Sequence, residues 1–275
     1  MLMNNYELKN SDFEKISRLI YEQCGIHLHE GKKELVKARL SKRLRAGSYT
    51  SFSDYYKYVT TQEGSDELIA MIDSISTNLT SFFREASHFV RLQNIIATAV
   101  EKSGQKKAVF HVWSAGCSTG EEPYTLAITF REAASHHHFE ASILATDIST
   151  KVLKIAEKGV YGKERIKGVA VPLLKKYFQQ GTGQSEGNVR VKSELRGMVT
   201  FKRFNLMDRF QDSHHFDFIF CRNVMIYFDK KTQNVLVNKF YDSLKSGGYF
   251  FVGHSESLTG LQHSFKYVEP SVYLK

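Results

Sequence analysis

Three cysteines in 275 residues, Cys24, Cys117 and Cys221, are too few and too scattered for a disulfide framework or a zinc cluster. No window approaches the roughly 18 apolar residues of a membrane span, and FDFIFCRNVMIYF is broken by Arg222 and Asn223. The segment MLMNNYELKNSDFEK has no basic region followed by an apolar one, so no signal peptide is expected. There is no internal repeat and no low-complexity linker. These absences predict a cytoplasmic protein that does not insert into a membrane. What is present is ordinary globular composition, 42% apolar and 24% charged, with length for one large or two medium domains. The net charge of +9 favours an acidic partner but does not choose between nucleic acid, membrane surface and protein. The run His136-His137-His138 reads as a solvated loop, because contiguous side chains cannot converge on one ion from a regular element, and no metal is expected.

The first part of the chain reads as helical. Ser11 with Glu14 makes a capping-box pattern, and Phe13, Ile16, Ile20 and Cys24 recur at helical spacing until Gly25. A second helix over about 32–46 carries Val36, Leu40 and Leu44 as its apolar stripe, with Lys32, Arg39 and Arg43 along one border. Further helices are predicted at about 52–60, where Ser51 and Asp54 fit a capping box, and at 65–76. No strand pattern appears before residue 105. From there AVFHVWSAG, SILATDIS, MVTFKRFNL, FDFIFCRNV and GGYFFVGHS alternate with helical stretches, which predicts an α/β domain on a mainly parallel sheet. Two short strands around a Gly-rich turn at about 176–197 interrupt it as a small appendage. The expected domains are therefore 1–77, all-helical, and 78–275, carrying the sheet.

Parallel sheets bind ligands at the carboxyl ends of their strands, which here read Gly116, Asp147, Asn205, Asn223 and His254. The turn after the first strand, Gly116-Cys117-Ser118-Thr119-Gly120, lacks the G-x-G-x-x-G spacing that receives a dinucleotide. It leads into a helix whose first turn holds Glu121, Glu122 and Pro123, and a carboxylate there repels pyrophosphate. A cationic ligand fits better. S-adenosylmethionine carries an ammonium and a sulfonium and no phosphate, and Asp147 suits its ribose hydroxyls. Each residue also has a plainer reading: Glu121 as a complement to the helix dipole, Asp147 as the start of a loop.

The segments TNLTSFFRE (77–85), WSAGCSTGEEPYTLA (113–127), ATDIS (145–149), FDFIFCRNVMIYFDKKTQ (216–233) and GHSESL (253–258) resemble those of the CheR-type chemotaxis receptor methyltransferases. The appendage GTGQSEGNVRV belongs to the same resemblance, which runs in order over nearly the whole chain. It implies a class I (Rossmann-like) methyltransferase sheet with a small inserted β-subdomain, preceded by an N-terminal helical domain. The implied reaction moves the methyl of S-adenosylmethionine to glutamate side chains of methyl-accepting chemoreceptors, leaving S-adenosylhomocysteine. The implied donor contacts are Asn78, Thr80, Arg84, Glu121, Asp147, Asn205, Leu206, Asn223 and Val224. Taken singly, Asn78 and Thr80 are helix-boundary residues, and Leu206 and Val224 are core.

A glutamate carboxylate, with a pKa of about 4.3, is already an anionic nucleophile at neutral pH. No residue is therefore expected as a general base, and catalysis reduces to positioning and removal of water. Arg222 and Tyr227, flanking Asn223, are candidates for shaping the acceptor pocket, with a core aromatic as the other reading of Tyr227. The stripe Lys32, Arg39 and Arg43 is the candidate dock for a glutamate-rich receptor helix, against the alternative of a solvated basic face. The family's β-subdomain implies a second partner, a receptor C-terminal peptide added as a strand. Two rivals remain. A nucleic-acid methyltransferase suits the basicity, but the strand end reads Arg222-Asn223-Val224-Met225 rather than (Asn/Asp)-Pro-Pro-(Tyr/Phe), and Cys221 follows Phe220 rather than Pro. A non-catalytic relative that binds donor or receptor is the other.

Overall fold

The computed structural model describes residues 6–102, 108–135, 139–210 and 215–275. The run His136-His137-His138 lies outside the described residues. The chain divides into two compact units, Met1–Thr77 with Tyr227–Thr232, and Asn78–Ile226 with Gln233–Lys275. A single cut after residue 77 does not express the grouping of Tyr227–Thr232 with the first unit.

The first unit is built on α1 (Asn10–Cys24), α2 (Lys33–Ala46), α3 (Phe52–Val59) and α4 (Ser65–Ile75). The apolar spacing on α1 does what it predicts: Phe13, Ile16, Ile20 and Cys24 are buried, and Gly25 closes the helix in the left-handed region at φ 73°. The capping box at Ser11 does not form. The helix starts at Asn10, Lys9 occupies the cap position without a side-chain bond, and Ser11 lies inside the first turn. On α3 the box is real but shifted. Ser51 Oγ accepts the Asp54 N–H at 3.0 Å, while the Asp54 carboxylate takes the N–H of Thr50 rather than that of Ser51. The segment 227–232 is tied to this unit by His27 N–H to Tyr227 O at 2.8 Å and Tyr21 Oη to Asp229 Oδ2 at 2.9 Å.

The basic border of α2 is less free than its sequence suggests. Val36, Leu40 and Leu44 are fully buried, as expected of the apolar stripe. Arg43 clasps Glu67 of α4 through both Nε and Nη2, and buried Tyr55 donates to the same carboxylate at 2.9 Å. Arg39 donates to the carbonyls of Ile75 and Ser76 and to Thr77 Oγ1, so it caps the C-terminus of α4. Lys32 stands in the 3₁₀ turn before α2 and is exposed. Arg43→Glu is thus expected to destabilise the protein by about 1–3 kcal/mol, since it sets two carboxylates against each other beside a buried tyrosine. Denaturant unfolding of the full chain measures this, and an unchanged midpoint would show that the Arg43–Glu67 pair contributes nothing.

The second unit opens with α5 (Ser87–Lys102) and continues through β1 (Ala108–Ala115), α6 (Glu121–Ala134), β2 (Phe139–Asp147) and α7 (Thr150–Lys158). Next come β3 (Val160–Gly162), α8 (Val171–Tyr177), β4 (Phe178–Gln180), β5 (Asn188–Val191), α9 (Ser193–Arg196), β6 (Val199–Arg203) and β7 (Phe216–Cys221). The chain closes with α10 (Lys230–Ser243), β8 (Leu244–Val252), β9 (Lys266–Glu269) and β10 (Val272–Leu274). Seven strands form one sheet in the order β6-β2-β1-β7-β8-β10-β9. The five strands read from sequence pair in parallel, while β10 and β9 add an antiparallel edge that their short runs did not announce. Burial follows the parallel rule: β7 presents Phe218, Ile219, Phe220 and Cys221 all buried. Trp113 on β1 is wholly buried and still satisfied, donating Nε1–H to Thr146 Oγ1 at 2.9 Å. The appendage is a three-stranded antiparallel sheet in the order β3-β5-β4, and its first strand, β3, lies before the segment that the Gly-rich turn marks.

Candidate donor site

Strand order reverses at β1, which has β2 and then β6 on one side and β7 and then β8 on the other. The crevice at such a switch point is where open α/β sheets take ligands. The turn leaving β1 is held tightly. Gly116 stands at φ 84°, and a Cβ there would meet Val224 Cγ2 at 2.4 Å, so the turn passes directly under the segment leaving β7. Gly120, at φ 96°, starts α6 with equally little room beside Ala156 and Tyr161.

The absence of a phosphate cradle has a backbone cause. Gly116 and Cys117 N–H both donate to Thr146 O, at 2.8 and 2.9 Å, and Gly120 N–H donates to Cys117 O at 3.1 Å. Ser118 N–H donates to Asp147 Oδ2 at 2.9 Å. A P-loop or dinucleotide turn must offer such donors to its ligand. Here four of them are committed within the protein.

Glu121 sits differently from the sequence-based expectation. Its carboxylate is completely buried, receives Thr119 Oγ1–H at 2.7 Å and pairs with Arg165 Nη2 at 2.5 Å. Burial raises its pKa, opposed by the Thr119 bond and by Arg165. Its charge is therefore compensated, and it is the committed N–H groups rather than an open Glu121 charge that turn a phosphate away. Arg165, 44 residues further on, carried no signal in the sequence.

Asp147 ends β2 with both carboxylate oxygens aligned: Oδ2 by Ser118 N–H, and Oδ1 by Ser149 N–H at 2.9 Å. Phe204 N–H donates to Asp147 O at 3.0 Å, which brings the end of β6, with Asn205 and Leu206, beside it. Asn205 Oδ1 accepts Met207 N–H at 3.1 Å, and Leu206 is 8% exposed. Asn78 reaches the same turn through its carbonyl, which accepts Ser118 Oγ–H at 3.0 Å. Asn78, Asp147 and Val224 thus surround the Gly116–Ser118 turn. Thr80 is half-buried on the segment that follows Asn78.

That segment is strained. Phe83 and Glu85 both adopt the left-handed region, at φ 53° and 56°, a cost of about 1–3 kcal/mol each that surrounding contacts must offset. Phe82 anchors it by packing edge-on against Tyr161 and Phe178 of the appendage, and Phe83 N–H donates to Thr125 Oγ1. Arg84 Nη1 donates to Leu79 O at 2.9 Å, folding the segment onto itself.

Arg222 is 6% exposed and is consumed by this anchoring. It pairs with Glu122 at 3.0 Å and Glu85 at 2.9 Å, donates to Arg84 O, and covers the Phe89 ring at 5.4 Å. This geometry makes Arg222 a brace between β7, α6 and the 78–85 segment. Tyr227 belongs to the helical unit, where its carbonyl accepts the His27 N–H. Asn223 follows at φ 58°, held by its N–H to Glu256 Oε2 at 2.8 Å. Glu256 collects two further N–H groups, from Gly253 at 2.6 Å and Ile226 at 3.2 Å, and burial raises its pKa against their pull. Glu85, Glu122 and Glu256 all lie inside sequence segments singled out above, yet nothing in their spacing assigned them these tasks.

Among the remaining ionisable groups, burial raises the thiols of Cys117 and Cys221 well above the ordinary range. Cys221 is fully buried in β7 and unfit as a nucleophile of the cytosine-methylating kind. Glu85 feels an upward push from burial, but Arg222 overcomes it and holds the carboxyl below its usual value. Burial, with Arg222 nearby, depresses His88 to about 4.

A mainly parallel class I sheet with an antiparallel edge, whose switch-point turn spends its N–H groups within the protein and whose second strand ends in a carboxylate, fits an S-adenosylmethionine-dependent methyltransferase. Residues 78–274 match the family model "CheR methyltransferase, SAM binding domain", and residues 11–76 match "CheR methyltransferase, all-alpha domain". The chain is 42% identical over 276 residues to a chemotaxis protein methyltransferase of Borreliella burgdorferi, covering 98% of this chain and 96% of that one. It is 41% identical to the chemotaxis protein methyltransferase of Escherichia coli, covering 97% and 91%, and 39% identical to chemotaxis protein methyltransferase 2 of Pseudomonas aeruginosa, covering 98% and 94%. The chain belongs to the CheR methyltransferase family. Among the described residues, no helix is long and apolar enough to cross a membrane.

Proposed function

We propose that the chain methylates glutamate side-chain carboxylates of methyl-accepting chemotaxis receptors in the cytoplasm, with S-adenosylmethionine as donor and S-adenosylhomocysteine as product. The observation that carries this reading is the match of residues 78–274 to the family's donor-binding domain, in a chain aligned nearly end to end with named chemotaxis methyltransferases. The donor supplies an electrophilic methyl on a cationic sulfur. Asp147 is assigned to its ribose, and Asn205 and Leu206, beside the end of β2, to its adenine side. Asn78, Thr80, Arg84, Asn223 and Val224 are assigned to the remaining contacts. Glu121 joins them if Arg165 yields its place to the donor's ammonium.

The acceptor needs no proton removed, so the chain's task is to align it and exclude water. Accordingly kcat/KM is expected to stay flat from about pH 6 to 9 and to fall below about pH 5, where the acceptor carboxylate protonates. A steep limb near neutrality that disappears with one His or Cys substitution would sink this mechanism. Incubation of the full chain with methyl-labelled donor and receptor cytoplasmic fragments tests the function itself. Base-labile label on glutamate is expected; base-stable label, or label on nucleic acid, would overturn it.

For receptor docking the assigned residues are Lys32, Arg39 and Arg43. Arg39 and Arg43 also hold α4, so Lys32 is the position whose charge can be changed cleanly. Lys32→Glu is expected to raise the receptor KM roughly three- to tenfold, more at low salt, with donor affinity unchanged. Equal KM values in both proteins would remove Lys32 from the dock. A receptor C-terminal peptide is assigned to an edge of the β3-β5-β4 sheet, where strand addition supplies main-chain bonds.

A further inference from the structure

We propose that Glu85, His88 and His254 form a binding site for a divalent transition-metal ion, with zinc the best match. One ligand atom from each lies within 4.8 Å of the other two. The decisive observation is His88. It is only 2% exposed, and neither ring nitrogen has a hydrogen-bond partner among the described residues. A neutral imidazole has one donor and one acceptor to satisfy, and burying both unpaired is costly. Its Nδ1 faces Glu85 Oε2 at 3.7 Å, too far for a hydrogen bond and suited to an atom between them.

The surroundings accommodate a cation. Arg222 balances only one of the two carboxylates it joins, Glu85 and Glu122, so that group retains a single negative charge. His254 closes the cluster from outside: it is exposed, its ring lies edge-on to His88 at 4.8 Å between centroids, and its Nε2 stands 3.2 Å from Ser87 Oγ. Zinc–nitrogen bonds of about 2.0–2.1 Å require ligand atoms roughly 3.4 Å apart, so the cluster must contract, and His254 is the member free to rotate inward. Two imidazoles and one carboxylate select zinc over magnesium or calcium, which prefer oxygen throughout.

The test uses the full chain with His136, His137 and His138 replaced by alanine, so that this run contributes no binding. Zinc titration by calorimetry is expected to give one equivalent with a Kd on the order of micromolar or below. Cobalt(II) is expected to give the strong visible absorption of a four-coordinate site. His254→Ala, at an exposed position, should weaken zinc binding at least about tenfold and abolish the cobalt band. His88→Gln should do the same, with its melting curve confirming the fold. Binding that is absent, or unaltered in His254→Ala, would overturn the assignment.

Discussion

Asp147→Asn is expected to lower affinity for S-adenosylmethionine by about a hundredfold, close to 2.8 kcal/mol. Asp147 is 8% exposed, and its carboxylate oxygens accept backbone N–H groups from Ser118 and from Ser149. An amide can offer oxygen to only one of them. In either rotamer its NH₂ points at an N–H, which disturbs either the Gly116–Gly120 turn or the start of α7. Charge-assisted hydrogen bonds contribute about 1.5–3 kcal/mol each, and the ribose contacts proposed for the same oxygens weaken as well. Calorimetric titration of the variant measures the loss, and a melting curve within a few degrees of the parent shows that the fold survives. Donor affinity equal to that of the parent would remove Asp147 from the site.

What could be read from the sequence was what depends on near neighbours. The apolar spacing on α1 and α2, the Ser51 cap, and the five strand ends at Gly116, Asp147, Asn205, Asn223 and His254 all follow from runs a few residues long, and the sheet gathers those ends along one edge. The missed features depend on partners distant in the chain. Arg165 reaches back to Glu121, Arg43 reaches forward to Glu67, and Arg222 collects Glu85 and Glu122 from far upstream. No periodicity encodes such pairs. The same cause bears on individual residues: nothing near Glu121 in the sequence announces its counter-ion, and nothing near Arg222 announces the two carboxylates it braces. The Ser11 box failed for a local reason, since an S-x-x-E pattern one residue inside a helix looks the same as one at its boundary. The strands β3, β9 and β10 have three or four residues each, too few to establish an alternation.

The largest loss of stability is expected from Glu256→Ala, about 3–5 kcal/mol, which for a unit of this size is a fall of roughly 10 °C in Tm. Glu256 is buried and gathers the N–H groups of Gly253, Asn223 and Ile226 on one carboxylate. Removing it leaves the buried N–H of Gly253 and the part-buried N–H groups of Asn223 and Ile226 without their acceptor, the buried one alone costing about 1–3 kcal/mol before any relaxation or entry of water. The consequence reaches the donor crevice. Asn223 holds a left-handed conformation at φ 58° that its bond to Glu256 helps to fix, and the next residue, Val224, packs where Gly116 leaves no room for a Cβ. Donor affinity should therefore fall together with stability. Glu256→Gln separates charge from geometry: its amide oxygen can keep the two shorter bonds, to Gly253 and Asn223, and only the 3.2 Å bond to Ile226 is lost. If backbone anchoring is the role, glutamine retains most of both stability and donor affinity, and alanine retains neither. Equal losses in the two variants would assign the effect to the charge instead, and parent-like melting of the alanine variant would show that the loop after β7 holds its shape without Glu256.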